Sequence, residues 1–159
     1  MLTLTRVLPP NAAAAVVTTL SLTAGDRAKS RHRFTADDGT PLYLTLARGT
    51  VLRGGDLLAG DGDPAGLIRV VAKPEPVLLV TAASSFDLLR AAYHLGNRHV
   101  SLELAPDGLK LEPDPVLEAM LAQLGGLAIA PATLPFEPEA GAYRSGMHSP
   151  IHSHSHDHN

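Results

Sequence analysis

Two prolines within three residues, in Lys73-Pro74-Glu75-Pro76, divide this chain more sharply than any other feature. Each removes a backbone donor and biases the preceding residue toward extended geometry, so a domain boundary is expected here. The two sides also differ in hydrophobic period. Over residues 2–73 the apolar residues come in short runs between turn residues, and no helical period lasts beyond two turns. Asp37-Asp38-Gly39-Thr40-Pro41 is a turn signal between Arg31-His32-Arg33-Phe34 and Leu42-Tyr43-Leu44-Thr45-Leu46, whose leucines alternate as a half-buried strand requires. A hairpin is predicted. Gly54-Gly55-Asp56 and Gly60-Asp61-Gly62-Asp63-Pro64 bracket a further apolar piece, and residues 67–72 supply the last strand of a β-rich domain spanning 1–73.

Past the break the pattern lengthens. Residues 77–82 read as a strand, after which Ser84 or Ser85 caps a helix that carries Asp87 in its first turn and stops at Gly96. Leu88, Ala92 and Leu95 form one apolar stripe and Phe86, Leu89 and Tyr93 a second, which leaves Asp87, Arg90 and His94 on the wet side. Val100, Leu102 and Leu104 are expected as the inward face of the next strand, with Pro106-Asp107-Gly108 turning the chain back through residues 109–112. Asp114 as cap and Pro115 at the first helical position open a second helix, which Gly125 closes before a final strand at 127–134. The order β-α-β-β-α-β predicts a ferredoxin-like domain over residues 74–143, with both helices on one sheet face. The fold class expected is therefore α+β: a β-rich N-terminal domain, a ferredoxin-like C-terminal domain, and a flexible His-rich tail over 144–159.

Composition removes several function classes. A net charge of −3 with both signs interspersed gives no basic footprint for nucleic acid or an anionic membrane. Aromatic residues make up 4% of the chain and Trp is absent, which disfavours base stacking and an aromatic-lined pocket. Without cysteine there are no disulfides and no thiolate sites, so imidazole and carboxylate are the strong metal ligands left. Arg6 and the apolar run at 13–17 imitate a secretory signal, but Pro9, Pro10, Thr18, Thr19 and Ser21 interrupt it; no stretch reaches the ~20 apolar residues of a membrane span, and a soluble cytoplasmic protein is expected. No nucleophile elbow, metalloprotease motif or phosphate-binding loop is present, so an enzyme is not expected.

Five of the eight histidines fall at the C-terminal end: His148, His152, His154, His156 and His158. Ser, Pro, Asp and Asn separate them, so the segment has nothing apolar to bury and reads as a mobile chelating tail for nickel, copper or zinc. Irregular spacers distinguish it from an unbroken affinity tag. His99, which ends Gly96-Asn97-Arg98-His99 and starts a strand whose inward face belongs to Val100, should point to the opposite face. One imidazole holds a metal weakly. At a twofold interface, however, symmetry would supply a second copy of the same residue.

Tyr93-His94-Leu95-Gly96-Asn97-Arg98-His99, Asp114 with Val116-Leu117 and Met120-Leu121, and Pro135-Phe136-Glu137-Pro138-Glu139 with Gly141-Ala142-Tyr143 resemble the urease accessory nickel chaperones, the UreE family. Weaker echoes run through Lys29-Ser30-Arg31-His32-Arg33 and Leu52-Arg53-Gly54-Gly55-Asp56. The resemblance implies a partner-binding N-terminal domain and a C-terminal domain that dimerises and binds nickel through His99 at the interface. It further implies that a tail histidine, His148 or His152, completes the site, that His94 is secondary, and that the clients are the urease accessory GTPase and the apo-urease complex. Glu112, Pro113 and Pro115 stand where some relatives carry extra histidines, so an accessory metal site is not expected there.

The reading that follows is a nickel-binding homodimeric metallochaperone, with Ni2+ as cargo and Cu2+ or Zn2+ as competitors in vitro. The alternatives are a prolyl isomerase or folding helper with a metal-binding tail, and a passive metal store.

Overall fold

The computed structural model describes residues 1–61 and 66–141. Strands β1 (Leu2–Leu4) and β2 (Arg6–Leu8) are one extended segment that changes sheets at Thr5. β1 runs parallel to β5 (Pro41–Thr45), whereas β2 runs antiparallel to β6 (Leu57–Ala59). With β3 (Val16–Leu22), β4 (Arg31–Thr35) and β7 (Leu67–Ala72) these make two sheets, ordered β1-β5-β4 and β2-β6-β7-β3. Leu4, Leu42 and Leu44 from one sheet meet Leu20, Leu58 and Ile68 from the other in a shared core. Each such leucine contributes about 2 kcal/mol by leaving water. The two sheets approach so closely at Gly60 that a Cβ there would lie 2.7 Å from the Thr3 carbonyl oxygen, which excludes any larger residue.

The predicted hairpin is β4 and β5, in the register Arg31 opposite Thr45 through Thr35 opposite Pro41. One short helix was not anticipated: α1 (Ala24–Arg27), whose cap Thr23 accepts from the Asp26 amide.

The C-terminal half follows the order β8 (Glu75–Ala82), α2 (Ser85–Asn97), β9 (Glu103–Ala105), β10 (Gly108–Leu111), α3 (Pro115–Leu124) and β11 (Leu127–Leu134). Its sheet is antiparallel throughout, in the order β11-β8-β10-β9. Leu88, Ala91 and Leu95 of α2 and Leu121 of α3 pack on Leu78, Val80 and Leu111 in a second core. Three expectations are corrected. The strand predicted at 77–82 begins earlier, at Glu75, with Pro76 opposite Thr133; β10 reaches only to Leu78, so Pro76 has one neighbouring strand and its missing donor breaks no ladder on the other side. The helix runs through Gly96 to Asn97. The following strand starts at Glu103 instead of at Val100, and Leu104, on that edge strand, is 49% exposed instead of inward.

Asp114 behaves as a helix cap should, accepting from the Val116 amide at 2.8 Å and the Leu117 amide at 3.1 Å. Ser84 makes no such bond at the start of α2. Asp114→Ala is therefore expected to cost about 1 kcal/mol, measured as a lower urea midpoint at unchanged slope, whereas Ser84→Ala should cost much less.

Candidate metal site

The site is built by the way α2 ends. The His99 amide donates to the Gly96 carbonyl at 3.0 Å and the Val100 amide to the Leu95 carbonyl at 3.2 Å, the paired bonds of a Schellman termination. That motif needs a left-handed residue at its corner, normally glycine, and here it is His99, at φ 56°, the one non-glycine residue with positive φ among the described residues. The orientation of His99 thus follows from helix termination and not from strand alternation, because the strand has not yet begun. Its side chain is exposed at the mouth of a cleft formed with Ser101, Glu112, Asp114 and Leu117.

His94, one turn earlier on α2, is half-buried, with its ring edge-on to Tyr93 at 5.3 Å. It does not share the His99 cleft. Among the described residues no group of three His, Asp or Glu side chains is placed to hold a metal ion. His148, His152, His154, His156 and His158 lie outside the described residues, as do Ala142 and Tyr143.

Of the two predicted apolar stripes on α2, the first supplies Leu88 and Leu95 to the core, with Ala91 fully buried beside them and Ala92 only partly so, and the second is not buried. Phe86, Leu89 and Tyr93 are 65%, 66% and 66% exposed and lie along the face that runs toward the His99 turn. Beside them, Leu104 and Pro106 extend the apolar surface over the β9–β10 turn. A face this apolar costs solvation free energy unless something covers it.

A second feature was invisible in the sequence. Arg27 is 1% exposed and is the one buried charged residue among those described. Its guanidinium donates to the Leu22, Leu52 and Phe136 carbonyls and to Glu137 Oε1, while Glu137 Oε1 also accepts from the Gly54 amide at 2.6 Å. Burial pulls the Arg27 pKa down and the Glu137 charge partly restores it; an arginine stays cationic at neutral pH regardless. Residues 135–139 are held from the other side as well, because the Glu137 amide donates to Glu103 and the Glu139 amide to the Leu102 carbonyl. The strap leaving β11 is thereby fixed to both halves. It forms a cleft with Arg53 and Gly141 that shares Ser101 and Glu112 with the cleft of His99.

Comparison with known proteins agrees with the residue patterns. Residues 4–73 match the model of the UreE urease accessory protein N-terminal domain, and residues 75–159 match that of the C-terminal domain. The chain is 52% identical over 150 residues to the urease accessory protein UreE of Nostoc sp., covering 94% of this chain and 99% of that one. It is 50% identical over 171 residues to that of Verminephrobacter eiseniae, with 99% of each covered, and 50% identical over 148 residues to that of Pseudomonas putida, with 93% and 88% covered. No helix among the described residues is long and apolar enough to cross a membrane. On matches that reach across both halves, at about half identity, this chain belongs to the UreE family of urease accessory proteins.

Proposed function

We propose that this chain is a cytoplasmic nickel metallochaperone for urease assembly, carrying Ni2+ as cargo between the His99 imidazoles of a homodimer and histidines of the tail. The observation that carries the reading is His99 itself. A non-glycine residue is kept in a left-handed corner where glycine would be more stable, and it is exposed at the end of an uncovered apolar helix face. Self-association through Phe86, Leu89 and Tyr93 would bury that face, and with the twofold axis beside the adjoining turn it would bring the two His99 residues together. A second subunit and a tail histidine then supply the donors that one subunit's described residues lack. Imidazole suits nickel, copper and zinc alike, so cellular supply and the receiving partner decide the metal.

The domain assignment that accompanies this reading places a partner-binding unit at 1–73, a ferredoxin-like dimerising unit at 74–143 and the chelating tail at 144–159. The sheet order β11-β8-β10-β9 supports the ferredoxin-like assignment. Delivery would run to the urease accessory GTPase and the apo-urease complex, with the tail releasing metal one ligand at a time.

The test is nickel titration of the full chain and of a chain ending at Tyr143. The full chain should bind one tight ion per dimer and further ions more weakly. The truncated dimer should keep one ion at reduced affinity, and both should weaken in acid, since imidazole binds only when neutral. Complete loss of binding on truncation would make the tail a passive store and remove His99 from the model.

A further inference from the structure

We propose that the open edge of β4 docks an acidic, extended segment of a partner protein, which joins the β1-β5-β4 sheet as its next strand. Among the described residues β4 is the outermost strand of that sheet and forms a ladder only with β5; just past its end the Asp37 amide, on the open side, donates to the Thr19 carbonyl of β3 at 2.9 Å, so the free edge spans Arg31 to Thr35. Its hydrogen-bond phase is set at both ends. The Leu46 amide donates to the Ser30 carbonyl and the Ala36 amide to the Thr40 carbonyl, so the bonded pairs are Ser30, His32, Phe34 and Ala36 with their partners on β5. In an antiparallel ladder the intervening residues turn their main-chain groups the other way. Arg31, Arg33 and Thr35 therefore present amides and carbonyls in a row to the open edge, and all three are exposed.

The same three residues carry the recognition chemistry. Leu42 and Leu44, opposite Phe34 and His32, are buried, which puts Arg31, Arg33 and Thr35 on the outer face with Tyr43 and Thr45. Neither arginine is in an ion pair among the described residues, while the nearby acid Asp26 is already bound to Lys29 at 2.7 Å. Asp37, past the end of β4, is held by the Ser21 hydroxyl at 2.8 Å and by Thr19. The local charge is thus positive on a chain whose net charge is −3. Arginines two apart on one strand face match carboxylates at alternate positions of an added strand, each able to accept a two-pronged bond. The competing account is that the charges merely keep this edge from pairing with other chains.

The probe is a fluorescent octapeptide alternating Glu and Val, titrated into the full chain, with amide-resolved NMR to locate it. Saturable binding is expected, with shifts centred on the Arg31, Arg33 and Thr35 amides. It should weaken roughly tenfold or more in the R31E/R33E variant, the scale of two lost charge-assisted bonds. Methylating the peptide's alternate backbone nitrogens on the pairing edge should abolish it. Equal binding of a Lys-Val octapeptide, shifts elsewhere on the surface, indifference to methylation, or no binding at millimolar peptide would each overturn the proposal. R31E/R33E should leave nickel affinity unchanged, so this docking site and the metal site stand or fall separately.

Discussion

Replacing Arg27 by methionine is expected to lower the unfolding free energy by about 3 kcal/mol, because it strips donors from a buried junction. Methionine fills much of the same space, so the cost is chiefly polar. The Leu22, Leu52 and Phe136 carbonyls each lose a partner. Glu137 fares better, since its side chain is 34% exposed and the Gly54 amide still reaches it. Lysine keeps the charge but not the fork, and Arg27→Lys should recover only part of the loss. Because the bonds run from α1 to the strap after β11, their loss should also loosen the coupling of the two cores. Urea unfolding followed by far-ultraviolet circular dichroism measures both effects, as a lower midpoint and a broadened or divided transition. A midpoint within about 0.5 kcal/mol of the unchanged protein would show that water replaces the guanidinium without cost.

His99→Gly is expected to move stability and metal binding in opposite directions. The left-handed corner at φ 56° suits glycine, so the variant should gain roughly 1 kcal/mol in unfolding free energy. In the proposed dimer the same variant would remove two imidazoles, and nickel affinity at the proposed site should fall roughly a hundredfold or more, beyond the 10–100-fold seen when only the supporting groups of ligands are removed. His99→Ala should lose the metal equally and gain no stability, because a Cβ remains. This split distinguishes a residue kept for its chemistry from one kept for structure. A glycine variant with full nickel affinity would remove His99 from the site, and one with lowered stability would mean that the ring itself supports the turn.

Much of the architecture was legible because its signals are local. Asp114-Pro115 and Gly125 bound α3, the alternating leucines and the Asp37-Asp38-Gly39 turn mark the hairpin, and β11 matches the predicted 127–134. Each signal is a chemical preference exerted within a few residues: a carboxylate on free amides, a missing N–H, a backbone that tolerates positive φ. His99 could be singled out by its residue type and by resemblance, but its placement was misread. Strand alternation was extended back from Leu102 across residues that in fact finish a helix, and termination geometry outweighs side-chain period there.

What the chain determined by itself was therefore where α2, α3 and β11 begin, the order of the C-terminal elements, and which residue types can bind a metal. The tertiary structure alone decided that Arg27 is buried, that the 135–139 strap returns to the first half, and that Phe86, Leu89 and Tyr93 are left uncovered on a helix whose other stripe fills the core. These depend on residues far apart in sequence meeting in space, and no local preference encodes a contact between Arg27 and Phe136.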